Sequence, residues 1–170
     1  MGFFSRLMGG SDEQTTAASE FEILAPVSGE LVHLENTNDP AFSSRAVGDG
    51  VAVVPQEGTV CAPVSGTVAA LFPTEHALGI MSDDSSAQVM LHIGIDTVKL
   101  EGKGFHALVA QGDHVDAGQP LVEVDFDAVR AAGFDPTVFV IVCERSENST
   151  LREHASGPVA VKEPVVWLSE

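Results

Sequence analysis

The chain has 170 residues, of which 44% are apolar and 19% charged, with 25 acidic side chains against 8 basic ones for a formal net charge of −17. That size fits one domain burying roughly 70% of its unfolded surface, and the composition excludes a disordered or fibrous chain. The acidity argues against nucleic acid or an anionic membrane as partner for the body of the protein and favours a basic protein partner.

Two cysteines, Cys61 and Cys143, and a start without a secretory cleavage pattern disfavour a secreted disulfide scaffold, so the chain reads as cytosolic. No apolar run reaches the ~20 residues that span a bilayer, so any membrane association is expected to be peripheral.

In chain order, MGFFSRLMGG comes first, with Phe3, Phe4, Leu7 and Met8 on one side of a short helical stretch closed by Gly9 and Gly10. It reads either as a weak membrane-surface tether or as a frayed tail. The polar SDEQTTAASE follows as a linker, so residues 1–20 form a tail and residues 21–170 the domain. From Phe21 on, short apolar runs (GELVHL, GVAVVP, GTVAALF, QVMLHIGI, PLVEVD, VFVIV and a VVW-containing end) are each bounded by Gly, Pro, Asp or Asn. This punctuation predicts an all-β, antiparallel sandwich or barrel with only short helical turns. The one helix expected is DFDAVRAAG at residues 125–133, capped by Asp125 or Asp127 and stopped by Gly133. An internal echo refines the architecture: APVSG begins at Ala25 and again at Ala62, and VGDGVAV from Val47 resembles QGDHVDAGQPLVEV from Gln111. Two such half-motifs can intertwine into one closed structure with few exposed edges.

Chemistry concentrates at two histidines. His92 interrupts the apolar run QVMLHIGID, which reads as a strand buried on both faces, so its imidazole must be partnered or employed. His76 stands sixteen residues upstream, across a loop containing SDDSS, and a hairpin would bring both rings to one end of the sheet. Thr74 is placed to accept the Nδ1 proton of His76, and the Gly94 carbonyl that of His92, leaving each Nε2 as nucleophile or ligand. Such a pair suits phosphoryl transfer, because a neutral imidazole is already nucleophilic near pH 7, or metal binding, where two ligands fall short of the usual three. His33, His106, His114 and His154 read as surface residues, and Asp83 with Asp84 as solvated turn chemistry. No nucleotide loop, G-x-S-x-G or C-x-x-C is present.

The phrases FPTEHALGI, LHIGIDTVKLEGKGF and VGDGVAV, with the paired APVSG segments, resemble the glucose-type IIA component of the bacterial phosphoenolpyruvate-dependent sugar phosphotransferase system. The resemblance covers essentially the whole chain. It implies a phosphocarrier in which His92 takes a phosphoryl group from the histidine-containing phosphocarrier protein and passes it to a cysteine of a permease IIB domain. His76, oriented by Thr74, assists. An apolar docking collar of Phe42, Val47, Phe72, Leu78 and Met90 is implied, with Asp39, Asp49 and Asp96 as charged contacts. Zinc held by His76 and His92 jointly with a partner's glutamate, and regulation of other permeases, kinases or adenylate cyclase, are further implications; no obligatory cofactor is implied, and a monomer is expected. Met90 and Leu78 stand where aromatic residues are common in enteric relatives, and the spacing between the histidines is one residue longer.

Two alternatives are weighed against this. A biotinyl or lipoyl carrier shares similar half-motifs but needs a lysine at a hairpin tip, and Lys99, Lys103 and Lys162 stand in no such phrase. A zinc hydrolase matches H-x-x-x-D at His92 and Asp96 but lacks the further H-x-H pair.

Overall fold

The computed structural model describes residues 20–170, so the amphipathic start and nearly all of its linker lie outside the described residues. Three strands come first: β1 (Phe21–Leu24), β2 (Gly29–His33) and β3 (Asp49–Pro55). A continuous middle block supplies β4 (Thr59–Cys61), β5 (Gly66–Leu71), β6 (Ala77–Ser82), β7 (Ala87–Ile93), β8 (Phe105–Ala107), β9 (His114–Val115) and β10 (Pro120–Val124). The chain closes with β11 (Val138–Arg145), β12 (Thr150–Glu153), β13 (Gly157–Val159) and β14 (Pro164–Ser169). All pairings are antiparallel, as expected for the all-β sandwich.

Pairing order reveals what the echo meant. The large sheet runs β13-β2-β3-β11-β7-β6-β5-β9, and two small sheets run β1-β14-β12 and β4-β10-β8. Exchanging β1, β2, β3, β11, β12, β13 and β14 for β4, β5, β6, β7, β8, β9 and β10 leaves every one of these orders unchanged. The chain is therefore two equivalent halves, the middle block inserted between the third and fourth strands of the other. The two APVSG segments meet at the junction, where the Leu24 N–H donates to the Pro63 carbonyl (2.9 Å) and the Cys61 N–H to the Pro26 carbonyl (2.7 Å). Ala25 bonds Lys162 and Glu163 as Ala62 bonds Gly118 and Gln119. The closing glycine of each motif has a steric cause: a Cβ on Gly29 would sit 1.9 Å from the Val54 carbonyl oxygen, and one on Gly66 2.0 Å from that of Met81.

Alternation along the strands separates two apolar layers. Val51, Val53, Leu78, Ile80, Val89, Leu91, Val138 and Val140 face the main core, each contributing about 1.5–3 kcal/mol by leaving water. On the opposite face of the large sheet, Ala52, Phe139 and Ile141 form a smaller cluster with Leu34 and Phe42. β7 is thus buried on one face only: Gln88, Met90 and His92 alternate as half-buried residues with fully buried neighbours, which corrects the expectation of a strand buried on both sides. The continuous apolar run hid this because the outer face is itself covered by an apolar patch.

The helix expected at residues 125–133 is α2 (Phe126–Ala131), with the Asp125 carboxylate accepting the Ala128 N–H at 3.0 Å. A second short helix, α1 (Pro40–Ser43), was not expected; Pro40 opens it and Asp39 caps it by accepting the Ala41 N–H at 2.9 Å. Cys61 and Cys143 are unpaired thiols. Among the described residues no helix is long and apolar enough to cross a membrane.

Candidate functional site

The β6–β7 hairpin turns through Asp83–Ser86, where the Asp84 carboxylate accepts the Ser82 and Ser86 hydroxyls and the Ser86 N–H. Ala77 consequently pairs with His92, and the His76 carbonyl accepts the Ile93 N–H at 2.7 Å, so the two histidines are lateral neighbours at the far end of the hairpin. Their rings lie edge to face, with centroids 5.1 Å apart and planes at 86°. His76 is buried, 5% exposed, and His92 half-buried.

Each Nδ1 has a partner two residues away. The Gly94 carbonyl accepts from His92 Nδ1 at 2.8 Å, and a carbonyl can only accept, so the proton of neutral His92 sits on Nδ1 and the Nε2 lone pair is free. Gly94 has φ +81°, and a Cβ there would lie 2.3 Å from Thr97 Cγ2, so glycine is required to turn the carbonyl back on the ring. The Thr74 hydroxyl lies 2.6 Å from His76 Nδ1. The turn bearing Thr74 is pinned by Glu75, a left-handed residue (φ +60°) whose carboxylate accepts the Ala107 N–H at 3.0 Å.

Burial lowers the proton affinity of His92, outweighing the Gly94 carbonyl and the charges of Asp39 and Asp96, which favour the cation. Burial lowers that of His76 as well, and the neighbouring His92 adds to it. Both rings therefore take up a proton at lower pH than a free imidazole does.

The surroundings depart from the expected collar in several places. Phe42 is only 5% exposed: it stacks on Phe139 (centroids 4.4 Å) and lies 5.1 Å from the His92 ring, forming a wall of the site more than a docking surface. Leu78 is fully buried in the main core because its position on β6 points inward, so it is not a docking residue. Met90 is half-buried against the outer apolar cluster. Asp49 is tied to Arg45 and Arg145, each at 3.4 Å, and is not a free rim charge. Val47 and Phe72 remain 39% and 49% exposed, and Phe72 lies 5.7 Å from the His76 ring. Asp39 is half-buried and occupied as a cap. Asp96 is exposed, left-handed (φ +59°) and loosely paired with Lys99 at 4.0 Å; it reaches His92 through its charge. Val98, two residues beyond Asp96, is 50% exposed, and Phe139 pairs directly with His92 across the strands; neither residue carries a signal along the sequence that singles it out. His33, expected as a plain surface residue, is half-buried and 2.8 Å from Glu153. Among the described residues no group of three or more His, Cys, Asp or Glu side chains is arranged to hold a metal.

A profile of the EIIA 1 family of the phosphoenolpyruvate-dependent sugar phosphotransferase system matches residues 21–148. The glucose-specific EIICBA component of Streptococcus pneumoniae serotype 4 is 42% identical over 144 residues, 85% of this chain and 20% of that protein. The β-glucoside-specific EIIBCA component of Bacillus subtilis is 39% identical over 170 residues, 99% of this chain and 28% of that protein. The solved glucose permease IIA from Mycoplasma capricolum superposes with a TM-score of 0.80 at 34% identity, covering 88% of this chain and 96% of that one. The chain spans less than a third of the length of these two larger relatives and nearly the whole of the solved IIA. With its paired half-motifs, all-β sandwich and two adjoining imidazoles, the chain belongs to the EIIA 1 family of the phosphoenolpyruvate-dependent sugar phosphotransferase system.

Proposed function

We propose that the chain is a phosphocarrier in which His92 Nε2 receives a phosphoryl group from the histidine-containing phosphocarrier protein and gives it to a cysteine of a permease IIB domain in the cytoplasm. The observation that carries this reading is the His92 Nδ1 contact with the Gly94 carbonyl, which leaves the Nε2 lone pair free beside a second buried imidazole. In the first step Nε2 attacks phosphorus, a new N–P bond forms, and the donor's N–P bond breaks with its electron pair returning to the donor ring. The Nδ1 proton stays in place, and the Gly94 carbonyl faces the positive charge that develops on the ring. In the second step a cysteine thiolate attacks phosphorus and the electron pair returns to Nε2.

His76 serves by donating to a phosphoryl oxygen, which needs its proton on Nε2. The Thr74 hydroxyl then donates to Nδ1, opposite to the direction expected from the sequence; a hydroxyl works in either sense. The exposed Phe72 beside the His76 ring offers apolar contact to both partners. Zinc shared between these imidazoles and a partner's carboxylate is a further use of the same pair, the partner completing the ligand set. Regulation of other permeases, kinases or adenylate cyclase rests on family resemblance alone. Which sugar is served follows from the permease: relatives are named for glucose and for β-glucosides.

The test is intact mass after incubation with phosphoenolpyruvate, enzyme I and the phosphocarrier protein. One phosphoryl group that acid removes and His92→Ala prevents is the expected result. No gain with active upstream proteins, or gain at a histidine in the His92→Ala chain, refutes the reading.

A further inference from the structure

The carbonyl that orients His92 belongs to a peptide just past the end of β7, where the strand's own ladder no longer holds it. What holds it is the segment leading into β11. The Gly94 N–H donates to the Thr137 carbonyl at 2.8 Å and the Ile95 N–H to the Asp135 carbonyl at 2.9 Å. Between these two acceptors lies Pro136, which fixes its own φ and confines Asp135 to extended backbone. The Asp135 side chain closes over it: Oδ1 accepts the Thr137 N–H at 2.9 Å and the Thr137 hydroxyl at 2.6 Å. The other oxygen, Oδ2, accepts from Asn38 Nδ2 at 3.2 Å. Asn38 directly precedes the cap of α1, the helix whose Phe42 packs on the His92 ring. Contact is close throughout, since the Asp135 carbonyl oxygen lies 3.1 Å from where a Gly94 Cβ would stand.

One carboxylate thus braces both flanks of the imidazole, the Gly94 carbonyl on one side and the Phe42 helix on the other. We propose that Asp135 is a positioning residue that sets the tautomer and orientation of His92 by holding the 135–137 segment against Gly94, and that through Asn38 it joins this hold to the loop that carries α1. The proposal rests on His92 being the phosphoryl acceptor, and it gives Asp135 no contact with phosphate.

The test uses the full chain with ¹⁵N-labelled histidine. Long-range proton–nitrogen spectra report the His92 tautomer without any phosphate donor, and acceptance kinetics from the phosphorylated carrier are measured on the same samples. In wild type the Nδ1-protonated form is expected. Asp135→Ala is expected to mix the tautomers and to slow acceptance about tenfold, because a displaced nucleophile meets phosphorus less often in line. Asp135→Asn keeps an oxygen for Thr137 and is expected to restore both readouts to within about twofold of wild type. Asn38→Ala is expected to leave the tautomer alone and raise KM for the carrier with kcat unchanged. If Asp135→Ala does not give a native spectrum, Asp135→Glu, charged but unable to close over Pro136 in the same way, takes its place with the same expectation. A wild-type tautomer in the substituted chain overturns the proposal, whether or not the rate falls, since slow transfer with an unmoved ring is a structural effect. Failure of the wild-type chain to take up phosphate would refute the phosphocarrier reading and still leave the tautomer shift to decide the role of Asp135.

Discussion

The two halves of the molecule share one pairing scheme and use it differently. Counting along β6 from the Gly66–Ser82 pair and along β3 from the Gly29–Pro55 pair puts Asp49 at the place of His76. Since Ala77 pairs with His92 and Gly50 with Ile141, Ile141 stands at the place of His92. One half therefore presents two neutral imidazoles. Its counterpart presents a fully buried isoleucine and a carboxylate tied to Arg45 and Arg145, with Arg45 also bound to Glu153 at 2.7 Å and Glu35 at 2.9 Å. The difference begins in the loops. Only five residues, 72–76, join β5 to β6, whereas residues 34–48 join β2 to β3 and carry α1, which lays Phe42 over Phe139 and His92. The inserted half supplies the two imidazoles and the other half supplies the cover, so neither repeat builds the pocket alone.

Moving the histidine from one half to the other tests their asymmetry most severely. A His92→Gln, Ile141→His double variant is expected to stay at least about a thousandfold below wild type in phosphate acceptance, because position 141 is fully buried and has Asp49 where the second imidazole would stand. Phosphate on residue 141, detected by peptide mapping, would show the halves to be chemically interchangeable. Next in size is His76→Ala, expected to slow transfer to the IIB cysteine about a hundredfold while acceptance falls less, measured by rapid quench. Unchanged rates in both steps would remove His76 from the transfer.

The shared frame is sharpened by its glycines. Gly29→Ala and Gly66→Ala should each cost about 2–3 kcal/mol in urea unfolding, since each new methyl meets a backbone oxygen. Tolerance of one but not the other would mean that the junctions are not equivalent. The smallest effect is on pH. Folding lowers the proton affinities of His76 and His92 from the ordinary value of 6.5, so below that value the unfolded chain binds more protons than the native one. Stability is then fully present above pH 6.5 and declines as pH falls below it. Replacing both histidines with glutamine should flatten that part of the profile, while the corresponding Asp49→Asn, Ile141→Val pair should leave it in place.

Much of this was legible in the residues. Short apolar runs punctuated by Gly, Pro and Asp predicted the strands, and the repeated APVSG predicted two intertwined halves. The 125–133 helix was legible from its Asp cap and Gly stop. His76, Thr74, His92 and Gly94 were legible as a constellation because a hairpin through SDDSS leaves a single way to bring them together. Less could be read where apolar residues have two destinations. Leu78 and Met90 look alike along the chain, yet one lies in the main core and the other on the outer face. Phe42 reads as a docking residue until α1 folds it inward, and α1, with one turn and a proline start, carries too little pattern to be seen.

Local features follow from the residues alone: turns, strand lengths, caps, and side chains separated by two residues are all set by backbone sterics and hydrogen bonding over a few peptides. Long-range packing alone settles which face of β7 is covered, that Asp49 and Ile141 mirror the two histidines, and that Asp135 stands behind Gly94 across more than forty residues of chain. Those facts depend on long-range register, and register is chosen by the packing of whole sheets, where any one residue contributes too little to announce its place.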